Sequence, residues 1–127
     1  MVTLNNDSFI LAYGFNDEET AFLTSLVGES SLKIIEKSMA NTKIKDIIEG
    51  IYLPVYDKNM PEDKVILFNN VEDKKVDLLV KDIRTNEAIK CILAVVTPTS
   101  SEWTLKKLLK ELLREREWFK NNSNKRA

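Results

Sequence analysis

Histidine is absent from the 127-residue sequence, and cysteine occurs once, as Cys91. The absence of histidine excludes histidine-based catalytic triads and histidine-containing metal sites. A single cysteine cannot form an internal disulfide, which indicates the reducing cytosol as the compartment. Carboxylates, lysines and hydroxyls are the groups left for chemistry, and we expect neither a bound metal nor a cofactor.

Glycine and proline are also scarce, with three of each. No hydrophobic run approaches the ~20 residues that a membrane-spanning helix needs. The segment from Met1 to Asp7 lacks the basic and apolar parts of a signal peptide, so we expect none. What the sequence does contain, 43% hydrophobic and 31% charged residues, is typical of globular proteins. We therefore predict a cytoplasmic globular protein without membrane contact.

The near-neutral net charge of −1 hides an asymmetry along the chain. The segment from Met1 to Thr104 carries a net charge of −6, and the segment from Leu105 to Ala127 carries +5. Such an asymmetry indicates a binding partner, or basic residues that complement the dipole of a last helix.

The order of apolar segments repeats after 56 residues. In each half a strand-like run precedes acidic residues, a second strand-like run follows, and a helical pattern with apolar residues at i, i+3, i+4 and i+7 comes last. We predict two β-α-β-α units, with four extra residues near Ser100 and Ser101 in the second. The matched segments are 9–15 with 65–71, 32–35 with 89–92, and 44–51 with 105–112.

Capping signals place the predicted helices. Asn16 with Glu19 three positions later forms a capping-box pattern, and Gly28 is typical of a C-terminal stop. Thr99 with Glu102 repeats the pattern before the last helix. The predicted helices span 17–27, 43–52, 72–84 and 101–119.

Strands that alternate with helices predict a mainly parallel sheet, because β-α-β crossovers join parallel strands. Neither half is long enough to bury a large core alone, so we predict one compact α/β domain with a four-stranded sheet packed by helices. Helices on both faces are favoured over helices on one face. The nearly continuous apolar run 89–96 indicates a central strand. The predicted segments are 8–53 for the first unit, 54–63 for a connector, 64–119 for the second unit and 120–127 for a flexible tail.

The segment from Ala94 to Leu112 resembles the signature of a small bacterial family, domain of unknown function 3783. The shared pattern is a strand ending in Ala-Val-x-Thr-Pro-Thr, a Trp, and a helix of the Leu-x-x-Leu-Leu-x-x-Leu kind. The resemblance extends over Lys64 to Trp118, with Ser100 or Ser101 where the family has Asn. It implies a bacterial origin and a small α/β fold, with the first half a diverged copy, and it implies no activity.

The loop from Thr97 to Trp103 is the most specific local feature. It follows a strand and precedes a helix, where open α/β sheets bind ligands, and helix N–H groups there favour an anion. A purely structural role, as a helix cap with an anchoring Trp, is the competing and favoured interpretation. The candidate ligand-binding residues are Thr97, Thr99, Ser100, Ser101 and Trp103.

Two other candidates are better explained structurally. Cys91 has no base beside it, because Lys90 falls on the opposite face of the strand, so we interpret it as a small buried hydrophobe. The acidic residues Asp17, Glu18 and Glu19 begin a helix, where its dipole favours them, and their spacing matches no calcium loop. We therefore expect no catalytic residue and no metal ligand.

The last helix carries a leucine stripe typical of a core, followed by Trp118 and Phe119. Core packing by this long helix is the favoured interpretation. The competing interpretation is a homodimer or protein partner that docks on Trp118 and Phe119, because apolar residues beyond a domain indicate an interface. Three glutamates interrupt the basic segment from Lys106 to Arg126, which argues against nucleic acid.

The sequence thus leaves three classes open. The first is a non-catalytic interaction or regulatory module, and the second is a binder of a small anionic ligand at the Thr97–Trp103 loop. An enzyme that uses carboxylates or lysines ranks last, because the usual catalytic groups are missing.

Overall fold

The computed structural model describes residues 8–28, 31–51, 60–86 and 89–124, the last six as backbone only. Within these residues the elements follow the predicted order, strand and helix alternating four times. The elements are Phe9–Tyr13 (β1), Asp17–Val27 (α1), Leu32–Ile35 (β2), Ile44–Glu49 (α2), Val65–Asn69 (β3), Asp73–Arg84 (α3), Ile92–Val95 (β4) and Leu105–Asn124 (α4). Short 3-10 turns at Lys37–Met39 and Ser100–Glu102 precede α2 and α4.

The four strands form one mixed sheet in the order β2-β1-β3-β4. The β1–β2 and β3–β4 pairs are parallel, and β1 pairs with β3 in antiparallel orientation. The predicted mainly parallel four-stranded sheet is confirmed. The prediction of a central strand at 89–96 is wrong, because β4 lies at the edge. Its apolar sequence arises because both of its faces contact the cores, through Ile92 and Leu93.

Side chains alternate between two hydrophobic cores, one on each face of the sheet. Leu11 and Leu67 point to the face that packs against α2 and α4, while Ile10 and Ile66 point to the face that packs against α1 and α3. Helices therefore cover both faces, as favoured from the sequence. All four of these side chains are nearly inaccessible to solvent. Both inner strands are buried on both faces, which explains why β1 and β3 lack polar alternation.

The pairing register shows how corresponding positions of the two halves meet. Leu11 lies opposite Leu67, 56 residues later, at the centre of the β1–β3 ladder. In the edge pairs, Leu32 lies beside Ile10 and Leu93 lies beside Ile66. Leu32 thus corresponds to Leu93, and the predicted match of 32–35 with 89–92 is wrong. The extra residues lie between α3 and β4, not near Ser100.

Local signals set the helix ends. Asn16 Oδ1 accepts the Glu19 N–H at 2.8 Å, and Glu19 Oε1 accepts the Asn16 N–H at 3.0 Å, so the predicted capping box is present. This capping box begins α1, which has the predicted span. The helix ends at Gly28, whose N–H donates to Thr24 O. Helix α2 ends earlier than predicted, because Gly50 adopts a left-handed conformation with φ of 81°.

The described end of the predicted connector packs against the domain. Met60 is buried in the core beside α2 and α4, and the Tyr13 hydroxyl donates to Pro61 O at 2.6 Å. Burial, with the charges of Glu62 and Asp63, raises the pKa of Tyr13 to about 12. Residues 54–59 of the predicted connector lie outside the described residues, as do 52–53 of the predicted first unit and 125–127 of the predicted tail.

Candidate functional site

The loop between β4 and α4 is held by a pair of hydroxyl residues. Thr97 Oγ1 accepts the Ser100 N–H at 3.0 Å, and Ser100 Oγ accepts the Thr97 N–H at 2.8 Å. Ser100 is buried, and Ser101 Oγ donates to Pro98 O at 2.9 Å. The turn is therefore closed by the same reciprocal geometry that a capping box uses. Three of the four candidate hydroxyls bond within the loop itself.

The predicted capping box of Thr99 with Glu102 is not formed. Helix α4 begins at Leu105, and Thr104 caps it, accepting the Lys107 N–H on Oγ1 at 3.2 Å. Thr99 is exposed and makes no side-chain capping bond within the described loop. The prediction failed because the Thr97–Ser100 pair closes a separate 3-10 turn before the helix.

The first amides of α4 are occupied by the other half of the chain. The Leu105 N–H bonds Thr42 O at 2.9 Å, and the Lys106 N–H bonds Ala40 O at 3.0 Å. In return the Ile44 N–H bonds Trp103 O at 2.9 Å. With Lys107 bonded to Thr104, all three N–H groups of the first turn have partners. This geometry favours the structural role of the loop over anion binding, because the donors that attract anions to helix ends are in use.

The corresponding loops of the two halves meet here. Lys43 and Thr104, which correspond by the register of the edge strands, form an isolated antiparallel bridge. Each contributes the carbonyl that accepts the first N–H bond within its own helix, from Ile47 and Leu108 respectively. The bridge therefore couples the starts of α2 and α4, and it gives the loop a role in joining the halves.

The remaining loop residues face surface cations. Glu102 Oε1 accepts from Lys45 Nζ at 3.0 Å, and this hydrogen bond lowers the pKa of Glu102 and raises that of Lys45. Lys43 Nζ lies 3.8 Å from the same carboxylate. Trp103 packs against the core beside α4, with Lys107 Nζ 4.8 Å from its ring centre. Trp103 thus anchors the loop on the sheet, and Glu102 brings negative charge to the place proposed for an anion.

Cys91 and the acidic residues of α1 are where the structural interpretation placed them. Cys91 packs against the core beside α3, and burial raises the pKa of its thiol to about 11, so the thiol is protonated at neutral pH. Glu19 is buried, caps α1 and forms an ion pair with Lys64, while Asp17 and Glu18 are exposed. No group of three potential metal ligands occurs among the described residues.

Helix α4 is longer than predicted and extends past the core. Its last fully buried side chain is Leu109, and residues 114–118 are exposed. Trp118 is 59% exposed, so the favoured interpretation of core packing is wrong for its ring. Arg116 Nη2 reaches Asp63 Oδ2 at 2.8 Å and ties this part of the helix to the segment before β3. The side chain of Phe119 lies outside the described part of the chain.

One surface feature was not predicted from the sequence. A cleft of about 560 Å³ lies between the end of α3 and the start of β4. Its lining comprises Ile83, Arg84, Asn86, Ile89, Lys90, Cys91 and Leu93. The apolar run 89–96 predicts a buried strand and gives no sign of a cleft. The cleft lies where the connection between helix and strand is longer than its counterpart between α1 and β2.

Comparison with known proteins identifies one domain. No curated protein and no solved structure matches the chain. No described helix has both the length and the apolar character needed to cross a membrane. A match to a family model covers residues 64–119, from the residue before β3 into α4. The resemblance predicted from the sequence is thereby confirmed: the second half of the chain matches the family described as Domain of unknown function (DUF3783).

Proposed function

We propose that this protein is a non-catalytic interaction module that self-associates through the second half of α4. The observation that carries the proposal is the exposed Trp118, on a helix that continues beyond its core contacts. From Leu113 to Asn124 the helix rises about 16 Å. Tryptophan is enriched among the residues that anchor protein interfaces. A helix that carries such a residue outside the core suits a docking role.

The chemistry of residues 111–120 favours a second copy of the chain as the partner. The segment reads Glu-Leu-Leu-Arg-Glu-Arg-Glu-Trp-Phe-Lys. We consider an antiparallel pair of these helices with a two-fold axis between positions 115 and 116. Along the helix axis, each residue then lies level with the partner residue for which the two residue numbers sum to 231. Glu111 then meets Lys120, Arg114 meets Glu117, and Glu115 meets Arg116. The leucines 112 and 113 meet Phe119 and Trp118.

This self-complementarity matches what a two-fold interface requires, because the same patch must serve both partners. At each height the sequence pairs opposite charges or apolar residues, while Leu112 and Arg116 also contact their own domain, through the core and through Asp63. Within one copy, Arg114 also binds Glu111, with Nη2 2.6 Å from Oε2. Such rim charges contribute orientation and specificity, while the apolar contacts contribute most of the affinity.

Sedimentation velocity of the full chain tests the proposal. The parent protein should form a concentration-dependent dimer, and Trp118→Ala should weaken dimerisation by about 30-fold, the effect expected for an interface hot spot. Leu78→Ala is the matched control, because Leu78 is 62% exposed on α3. That variant should dimerise like the parent, and circular dichroism should show both variants folded. A parent that remains monomeric at ~1 mM, or equal weakening by both variants, contradicts the proposal.

The proposal also includes an internal duplication and a bacterial cytoplasmic setting. The duplication is supported by the repeated element order, by Leu11 opposite Leu67, and by a family match that spans one β-α-β-α half. A crystal structure should superpose 9–27 on 65–83 and 32–49 on 93–110 with a single rotation. The cytoplasmic setting is supported by the single cysteine, which cannot form an internal disulfide, and the bacterial origin is implied by the family resemblance.

A further inference from the structure

The cleft between α3 and β4 has an apolar floor. Ile83 and Ile89 are 2% and 5% exposed, and both belong to the core beside α1 and α3. Leu93 and Cys91 pack against the same core and complete the floor. The cleft volume of about 560 Å³ is in the range of small-molecule sites in proteins.

Cationic side chains border the cleft. Arg84, the last residue of α3, and Lys90, just before β4, both line it and are exposed. Two carbonyl groups at this helix end are already bonded, Lys81 O by the Thr85 N–H and Ile83 O by the Asn86 N–H. The nearby carboxylate of Glu19 is paired with Lys64. Among the described residues that line the cleft, both charged side chains are therefore cationic.

An apolar floor bordered by cations matches a ligand with an apolar body and one anionic end. We propose that the α3–β4 cleft binds a short acyl carboxylate, its chain on Ile83, Ile89 and Leu93 and its carboxylate between Arg84 and Lys90. Arg and Lys form charge-assisted hydrogen bonds with carboxylates, and the chain buries apolar surface in the same event. This site lies on different elements from the proposed dimer helix and does not depend on it.

Amide nuclear magnetic resonance of the full chain tests the site, with octanoate as the probe below its micelle concentration. Octanoate should cause saturable shifts centred on Ile83, Ile89 and Leu93. Octan-1-ol, which has the chain without the charge, and acetate, which has the charge without the chain, should each bind at least about tenfold more weakly. The sole thiol provides a second readout, because octanoate should slow the reaction of Cys91 with a thiol reagent.

Charge-neutralised variants complete the test. Arg84→Gln with Lys90→Gln should weaken octanoate binding about tenfold or more, whereas Lys74→Gln with Lys75→Gln, at the other end of α3, should leave it unchanged. All four positions are exposed, so both variants should remain folded. Equal affinity for octanoate and octan-1-ol overturns the proposal, as do shifts centred outside the cleft or equal effects of the two double variants.

Discussion

Replacing Glu19 with glutamine tests how firmly the two halves are joined. The Glu19 carboxylate caps α1 in the first half and pairs with Lys64, which precedes β3 in the second. The side chains of Glu19 and Lys64 are only 11% and 30% exposed, so solvent screens this pair less than a surface pair. Glutamine can still accept the Asn16 N–H, so Glu19→Gln isolates the loss of charge.

The expected cost lies between the values for surface and buried ion pairs. Exposed pairs contribute about 0–1 kcal/mol and breaking a buried pair costs about 3–5 kcal/mol, so we expect about 1–2 kcal/mol here. For a protein of this length, about 1 kcal/mol corresponds to about 4 °C in Tm. Glu19→Gln should therefore lower Tm by about 4–8 °C at pH 7. Glu18→Gln, at the adjacent exposed position of the same first turn, is the matched control and should change Tm much less.

The pKa of Glu19 determines how the stability difference between the parent and Glu19→Gln changes with pH. The hydrogen bond from Lys64, with that from the Asn16 N–H, lowers the pKa of Glu19 below its ordinary value. A lowered folded-state pKa adds stability above the unfolded-state pKa of about 4.3, and this stability disappears as pH falls through the folded-state value. In urea unfolding followed by tryptophan fluorescence, parent and Glu19→Gln should therefore differ at pH 7 and converge in acid. A difference that persists in acid, or an equal effect of Glu18→Gln, refutes the reasoning.

Two other matched pairs test local features of the fold. Thr104→Ala should destabilise the protein by about 1 kcal/mol, because Thr104 caps α4. Thr99→Ala should leave the urea midpoint nearly unchanged, because Thr99 makes no capping bond. If Thr99→Ala cost more than Thr104→Ala, the helix would instead be capped by Thr99 and Glu102. Gly14→Ala should cost clearly more than Gly50→Ala in the same assay. Both glycines have positive φ, but a Cβ at Gly14 would lie 3.0 Å from Asp63 O and one at Gly50 would meet open space, so equal costs would contradict the close approach.

The fold was predictable because its signals are local. The Asn16–Glu19 box and Gly28 determine α1 within the segment itself, and alternating strands and helices restrict the sheet to a few topologies. The strand order was not accessible in this way. It depends on how β1 and β3 pair, and the similar apolar sequences of buried strands do not specify which strands lie beside them. The edge position of β4 was missed for the same reason.

The errors at the candidate site arose from competition between equivalent local patterns. Thr97 with Ser100 and Thr99 with Glu102 both have the i, i+3 spacing of a cap, and the structure uses the first. The first N–H groups of α4 bond the carbonyls of Thr42 and Ala40, which lie 63 and 66 residues earlier in the sequence. No local pattern encodes such partners. The cleft lies at an insertion whose position only the strand register revealed.

Charge reversal in α4, read by sedimentation equilibrium, tests the central claim of self-association most directly. Arg114→Glu and Glu117→Arg should each weaken the dimer, because each places like charges opposite one another twice across the two-fold axis. The double variant restores opposite charges and should recover most of the parent's affinity, even though the Arg114–Glu111 contact is lost in it as in Arg114→Glu. Recovery in the double variant is the predicted result. A monomeric parent, or a double variant as weak as the two single changes combined, would contradict the account.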